Sequence, residues 1–406
     1  VNGKWSGRQP DPYLPFEIRI DRDMIPGGAN LIVVRTDNSS RPGGVPGSQR
    51  DWRNFGGLLL GIEIGTTETC KFDQIAACAT PHAQGGDLTV RATVDNSGSA
   101  DAEVTSAAVI SDAEGNVLTE WMGDSLVIPP GTRGETVFAH TVPGVEPWSP
   151  QAPHLYILKV TLQKSGTVLE TRELRVGFRS LQVTQGAFHL NGEAIVLTGF
   201  NRYEDSPNHN MSPAPDLVRQ DLKRMKEAGA NFVRLCHHPH DPTELDLCDE
   251  IGLLVMAEIP LYGWKGRSEE NGSHNAIGTL RTAKRQLRAM ISRDVNHPSI
   301  VLWSVSNETD ESHSEVAAGN DDLIRLARRL DPTRFAVHVS SHWRDHPHFA
   351  ADDIICVNGY PGYDKRRQDD QFDCSALAKR WQTDLATLAT RYPDKPILIT
   401  EFGYPA

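Results

Sequence analysis

From residue 185 onward the chain alternates short apolar runs with longer amphipathic segments, and this pattern admits few folds. Residues 195–200, 231–235, 253–257, 300–305, 335–339, 354–357 and 396–400 are strand-length runs rich in Val, Ile, Leu and Phe. Strands of a parallel sheet covered by helices read this way, because both of their faces are buried. Between them, residues 216–228, 243–251, 279–293 and 321–330 have helical spacing; Val218, Leu222 and Met225 share one face of the first. Repeated βα units build either a closed parallel barrel or an open doubly wound sheet. No G-x-G-x-x-G phosphate loop occurs, which favours the barrel. A TIM barrel has eight strands. Seven are read before the chain ends at Ala406, so the expectation is a (β/α)8 barrel truncated after strand seven.

The first 180 residues follow a different rule. Residues 14–20 and 31–35 alternate apolar and polar side chains between turn signals such as Pro26-Gly27-Gly28, which predicts β structure. A Gly/Pro/Ser loop over 39–48 leads to Asp51-Trp52-Arg53. From about Cys70 to Gly177 strand patterns recur at short spacing, at 87–94, 103–110 and 155–162, divided by turns such as Asn96-Ser97-Gly98. About a hundred residues of this pattern predict an immunoglobulin-like β-sandwich. A chain of 406 residues exceeds one hydrophobic core, so several domains are expected.

Charge and motifs exclude several functions. A formal net charge of −12 argues against nucleic-acid or anionic-membrane partners. No window approaches the roughly 20 apolar residues of a membrane span. Residue 1 is Val, with no basic and apolar leader after it, so no targeting signal is readable and the compartment is left open. Cys70, Cys78, Cys236, Cys248, Cys356 and Cys374 form neither a CxxC pair nor a metal-finger spacing. His237, His238 and His240 lack an HExxH frame, which disfavours zinc. Ser304 and Ser306 are not in a G-x-S-x-G elbow, against a serine hydrolase. A Cys236–His237 nucleophile pair is disfavoured because consecutive strand residues face opposite ways.

Polar residues gather where the apolar runs stop. Asn201, Arg202, Glu204 and Asp205 follow the first run, Cys236, His237 and His238 the second, and Glu258 the third. Asn307 and Glu308 follow the fourth, Asn358 and Tyr360 the sixth, and Glu401 the seventh. The carboxyl ends of parallel barrel strands are where such folds do chemistry. Two glutamates facing one pocket there can break a glycosidic bond, one as acid and base and one as nucleophile. A ring of polar groups is a suitable holder for a sugar's hydroxyls.

The runs Gly199-Phe200-Asn201-Arg202-Tyr203-Glu204-Asp205, Asn231 through Pro239, Asn296-His297-Pro298-Ser299 to Glu308, and Glu401-Phe402-Gly403 resemble glycoside hydrolase family 2, the β-galactosidases, β-glucuronidases and β-mannosidases. The likeness covers nearly the whole chain. It implies a partial β jelly roll over 1–69, the sandwich over 70–180 and the barrel over 181–406. It also implies that the jelly roll's first strands and the eighth barrel strand lie outside this chain. Glu308 would be the acid/base and Glu401 the nucleophile of a retaining exo-β-glycosidase. Asn307 would hold the sugar 2-hydroxyl, Tyr360 would bond the nucleophile, and Asp51, His237, Asp205 and Trp303 would line the substrate site. The substrate would be a terminal β-linked sugar, galactoside first and glucuronide second. The alternative is a noncatalytic carbohydrate-binding fragment.

Two positions depart from the family, His238 where Tyr is usual and Leu60 where Arg is usual. Metal-dependent members place acidic and His ligands after strand three, where this chain has Ile259-Pro260-Leu261-Tyr262. The expectation is therefore no metal and no cofactor. A homo-oligomer is left open.

Overall fold

Burial gathers an antiparallel β region and a parallel βα region around separate apolar clusters. The computed structural model describes every residue except 42, 49, 54, 267–275, 361–373 and 404–406, with the side chains of residues 276 and 374 also outside the description. Residues 1–69 contain no strand among those described, only a 3-10 turn at Asp21–Asp23. The jelly roll expected there has no sheet among the described residues. Alternating side chains define faces, but a strand exists only in a hydrogen-bonded ladder. The segments 31–35 and 58–64 form no ladder among the described residues and leave Leu31, Val33, Ile62 and Ile64 exposed. Elsewhere this region docks onto the barrel: Asp11 pairs with Arg285, the Val45 carbonyl accepts from Gln286, and Leu14 and Val45 are buried in the barrel–helix core.

Eight strands follow: β1 (Cys70–His82), β2 (Gly85–Asn96), β3 (Ala102–Ser111), β4 (Val117–Met122), β5 (Leu126–Ile128), β6 (Thr132–Pro143), β7 (Tyr156–Lys164) and β8 (Thr167–Val176). They form two antiparallel sheets, β1-β2-β6 and β4-β3-β7-β8, with β5 pairing β3. Both sheets enclose one core, in which Leu88 and Val90 of β2 meet Leu158 and Val160 of β7. The inward residues of β2 and β3 alternate strictly with exposed or half-exposed ones, as a one-sided sheet requires.

A small sheet that the sequence did not reveal comes next, β9 (Leu181–Thr184), β10 (Ala187–Leu190) and β11 (Glu193–Ala194). Its Phe188 and Leu190 join the core that contains Phe232, Leu254, Met256 and Leu302 from inside the barrel. The barrel itself runs β12 (Gly199–Tyr203), α1 (Pro215–Glu227), β13 (Phe232–Cys236), α2 (Pro242–Ile251), β14 (Leu254–Glu258), α3 (Ala276–Asp294), β15 (Ile300–Asn307), α4 (Ser314–Leu330), β16 (Phe335–Ser340), β17 (Ile355–Asn358), α5 (Cys374–Arg391) and β18 (Ile397–Glu401). The seven strands form one parallel sheet in sequence order. Between its two edge strands, the Asn201 side chain of β12 donates to the Thr400 carbonyl of β18 at 2.9 Å.

Local chemistry sets several boundaries. Asp241 caps α2 by accepting from the Thr243 amide, Pro242 occupies its first turn, and Gly252 ends it at φ 78°. A Cβ on Gly252 would lie 2.6 Å from the Pro150 carbonyl, so glycine serves both the left-handed turn and the close approach of the interdomain segment. Most barrel strands run a residue or two past their apolar stretch, so that Glu258, Asn307, Asn358 and Glu401 are the last residues of their strands. Alternation along β13, β14 and β15 points Val233, Leu235, Val255, Ala257, Trp303 and Val305 outward to the helices.

Trp148 links sandwich and barrel. It is fully buried among barrel core residues, and its indole N–H donates to the Asp249 carbonyl at 3.0 Å. Replacing it with Ala should lower stability by about 3–5 kcal/mol through cavity formation. Trp148→Phe should cost about 1–3 kcal/mol for the orphaned carbonyl. Shifts of the urea midpoint measure both, and equal midpoints for Trp148→Ala and wild type would refute the role.

Candidate active site

The interior of the barrel changes from apolar to polar as each strand rises toward its carboxyl end. Above Phe232 the next inward residue of β13 is Arg234, and above Leu254 and Met256 of β14 comes Glu258. Arg234 is the centre of the site. Its Nη1 donates to Glu401 Oε1 at 2.6 Å, and its Nη2 donates to Glu258 Oε2 at 2.9 Å and Asn307 Oδ1 at 2.7 Å. Burial opposes the guanidinium charge, but Glu258 and Glu401 outweigh it and hold the group well above its ordinary value.

Glu258 is 0% exposed. Besides Arg234 it accepts from Ser304 Oγ at 2.6 Å, and His237 Nδ1 lies 2.7 Å from its other oxygen. Burial works to raise its pKa, yet Arg234, His237 and Ser304 together pull it down to about 2. The other ring nitrogen of His237, Nε2, lies 3.0 Å from the Tyr203 hydroxyl. Burial raises the Tyr203 phenol above its ordinary value, which keeps it a donor.

The two predicted catalytic glutamates face different surroundings. Glu308 takes φ 51° just after β15, and its amide donates to the Val339 carbonyl. Its Oε1 accepts from Asn358 Nδ2 at 2.8 Å. Burial pushes the Glu308 carboxyl up, the Asn358 amide pulls it back, and the negative charge of Glu401 adds to the rise. Glu401, at the end of β18, has both oxygens bonded, one to Arg234 and the other to the Tyr360 hydroxyl at 2.7 Å. Tyr360 is 43% exposed, and burial followed by its bond to Glu401 raises its phenol. Asn358 ties the site together: Nδ2 bonds both Asn307 and Glu308, while Oδ1 accepts from Thr400.

Asn307 is fully buried, and its Nδ2 has no partner among the described residues. Its Oδ1 accepts from Arg234 and Asn358, which fixes the amide orientation and leaves the N–H donors for something not in the chain.

The segment 1–69 supplies one wall. Tyr262, in the loop after β14, donates its hydroxyl to Asp51, and Trp52 packs edge-on to Tyr262 at 5.7 Å between ring centroids and tilted to His237 at 5.8 Å. The Trp52 indole donates to the Tyr13 hydroxyl, and Tyr13 stacks on His238 at 4.2 Å. Asp51 is exposed at this mouth. His238, the departure from the family pattern, is buried and driven well below its ordinary value by burial and then by His240.

Asp51, His237, Asn307, Tyr360, Glu308 and Glu401 are thus brought together; Trp303 and Asp205 are not. Trp303 is 0% exposed on the outward face of β15, where its indole donates to Asp331 and the Arg334 guanidinium lies 5.6 Å from the ring. A strand residue adjacent to an inward Ser304 must face the other way. Asp205 stands exposed in the loop after β12 with no side-chain hydrogen bond or ion pair among the described residues. Its neighbour Glu204 is the buried one, accepting from the Asp241 amide. Cys236 is buried, and burial pushes its thiol up to about 12, the opposite of an activated nucleophile. The carboxylate of Glu244 lies four residues after His240 and bonds it at 3.1 Å, with His240 Nε2 on the Cys236 carbonyl. Among the described residues, a cluster with metal-ligand spacing occurs at Asp246, Asp249 and His297. There Asp249 is taken by the His297 ring and the Ser299 amide, and Asp246 by Arg175.

Arg234 received no role from the sequence and Glu258 only a place in the polar ring, although a charged residue inside the apolar run Phe-Val-Arg-Leu-Cys was a readable signal that something buried must neutralise it. Tyr203, Tyr262 and Trp52 had no such mark.

Comparison with known proteins places this geometry. The model described as "Glycosyl hydrolases family 2, TIM barrel domain" matches residues 181–406, and "Glycosyl hydrolases family 2" matches residues 75–179. A putative β-glucuronidase of Formosa agariphila is 31% identical over 82% of this chain and 40% of its own length. A β-galactosidase of Psychromonas ingrahamii is 29% identical over 82% of this chain and 32% of its own. The chain therefore spans well under half the length of these relatives. The structure of a β-galacturonidase from Eisenbergiella tayi superposes with a TM-score of 0.79 at 24% identity, covering 91% of this chain and 64% of that one, a likeness of fold. No described helix is long and apolar enough to cross a membrane.

Glu258 holds both Arg234 and His237, so Glu258→Gln should destabilise the protein by about 3–5 kcal/mol, the usual effect of breaking a buried ion pair. Because its folded value is depressed, its contribution is fully present above the ordinary carboxylate value of 4.5 and is lost as pH falls toward about 2. Urea unfolding at a series of pH values should show wild type losing more stability than Glu258→Gln across that window. Parallel pH curves for the two proteins would refute the assignment.

Proposed function

Since the chain belongs to glycoside hydrolase family 2, we propose that it is the catalytic portion of a retaining exo-β-glycosidase acting on a terminal β-galactoside or, second, a β-glucuronide. The observation that carries this reading is the contrast between the two strand-end carboxyls. Glu308 is pushed toward the protonated form, while Glu401 is paired with Arg234 and oriented by Tyr360.

In this reading Glu401 attacks the anomeric carbon and Glu308 gives its proton to the leaving oxygen. Water, deprotonated by Glu308, then releases the sugar from the covalent intermediate. Retention calls for carboxyl groups about 5 to 5.5 Å apart. Asn307 Nδ2, buried and without a partner among the described residues, is the donor that fits a sugar hydroxyl. The two glycosidase names among the curated relatives support the choice of sugar class. The expected immunoglobulin-like sandwich belongs to the same reading, supported by the β1-β2-β6 and β4-β3-β7-β8 sheet orders.

Glu401→Gln should reduce kcat on a 4-nitrophenyl β-glycoside by more than about a thousandfold, and full activity in that variant would refute the nucleophile. Glu308→Gln should slow the first step far more for a sugar or alkyl leaving group than for nitrophenolate, which leaves without a proton. In wild type, kcat/KM should fall as pH rises through the raised Glu308 value, above 4.5. A panel of nitrophenyl galactoside, glucuronide, mannoside and glucoside decides the sugar.

Asn307→Ala should lower kcat/KM about 10²–10³-fold, the usual effect of removing a donor that strengthens in the transition state. With a 2-deoxyglycoside the same substitution should have little effect. An equal loss on both substrates would show that Asn307 does not read that hydroxyl.

A further inference from the structure

A second concave site lies away from the glutamates, where the ends of β1 and β8 face the amino-terminal ends of β15 and β16. It is a cleft of about 450 Å³ between sandwich and barrel, within the range of small-ligand sites. Three guanidiniums line it, Arg179, Arg328 and Arg334, together with the apolar surfaces of Leu181 and Phe335 and the half-buried thiol of Cys78.

The charges of these three arginines are not balanced. Arg328 pairs with Asp353 at 2.6 Å and Arg334 with Asp331 at 2.8 Å. Arg179, only 7% exposed, has no ion pair among the described residues. Its Nε donates to the Pro298 carbonyl at 2.6 Å and its Nη2 to the Ile300 carbonyl at 2.8 Å. Its Nη1 makes no hydrogen bond among the described residues. Two neutral carbonyls orient the guanidinium without neutralising it. Burial and then the neighbouring Arg334 lower Arg179 to about 9, so it still carries its charge at neutral pH, with one donor that the described residues do not use. A buried charge normally has a counter-ion. The chain supplies carboxylates for two of the three arginines and leaves one positive charge over.

We propose that this cleft is a binding site for a small organic carboxylate, whose charge neutralises Arg179 and accepts from its Nη1 while its apolar face lies against Leu181 and Phe335. A single surplus charge matches one carboxylate, and the apolar walls favour a ring or chain over a bare inorganic anion. The occupant would bridge the sandwich and the barrel on the side opposite the glutamates, and the site stands independently of the proposed catalysis.

Cys78 reports on occupancy without altering the site. In wild-type protein, the rate of iodoacetamide alkylation at Cys78, followed by peptide mass spectrometry, should fall with added sodium benzoate or sodium glucuronate. At a concentration ten times the dissociation constant the fall should be about tenfold, whereas galactose or sodium chloride at matched ionic strength should give none. Arg179→Gln should abolish the protection and Arg179→Lys should weaken it, with melting temperatures confirming that each variant is folded; should neither fold, the wild-type result decides. Glu401→Gln should keep full protection, which separates this site from the catalytic one. Absence of protection by both carboxylates, equal protection by galactose, or protection by inorganic phosphate alone would overturn the proposal.

Discussion

The contact between Arg234 and Glu258 is the constraint around which the barrel's upper half is arranged. A guanidinium and a carboxylate, 1% and 0% exposed as side chains, are sustained there only because each has further partners. A buried pair is tolerated where hydrogen bonds to further groups share its charges. Arg234 reaches Glu401 and Asn307, and Glu258 reaches His237 and Ser304. Through these bonds strands β13, β14, β15 and β18 are joined at one level of the barrel. The positions of the two candidate catalytic glutamates follow, one bonded directly to Arg234 and the other through Asn358, which shares the Asn307 oxygen with it.

Much of this was legible in the sequence because barrel strands have two buried faces and a fixed period. The seven runs, their order and the polar residues at their ends could be read without knowing what each strand paired with. What period alone does not give is which neighbour of a pair faces inward. Trp303 and Ser304 are adjacent, and the register set by β14 pairing sends the serine to Glu258 and the tryptophan to the helices. An aromatic residue beside a strand-end glutamate invites a sugar-stacking role, but here the outer layer buries the indole and offers it an acceptor in Asp331. The sheet β9-β10-β11 escaped notice because its strands are two to four residues long.

Residues 1–69 illustrate the opposite failure. Their alternation was genuine, yet β structure is a property of pairs of segments, and a pattern in one of them does not create the other. The contacts that tie this region to the barrel are of very long sequence separation: Asp51 with Tyr262, Tyr13 with His238, and Asp11 with Arg285. No local window contains such information. Asp51 could be assigned beforehand only by resemblance to a family, whereas Trp52 and Tyr13 became visible once the chain was folded.

The distribution of satisfied and unsatisfied groups in the site carries the functional argument further than residue types do. Glu258, Glu308 and Glu401 all accept hydrogen bonds from within the chain, so their orientations are set before any ligand arrives. Such preorganisation lets charged groups act on a reacting centre without rearranging in the course of the reaction. Against this background the orphaned Asn307 amide stands out. A buried donor left unmet costs about 1–3 kcal/mol, and its own acceptor is already taken by Arg234 and Asn358, so it cannot turn to find relief. A hydroxyl placed beside it would recover that free energy. Because the amide is held in register with Arg234, and through it with Glu401, in the proposed reading that hydroxyl would fix the distance between a sugar ring and the Glu401 carboxylate.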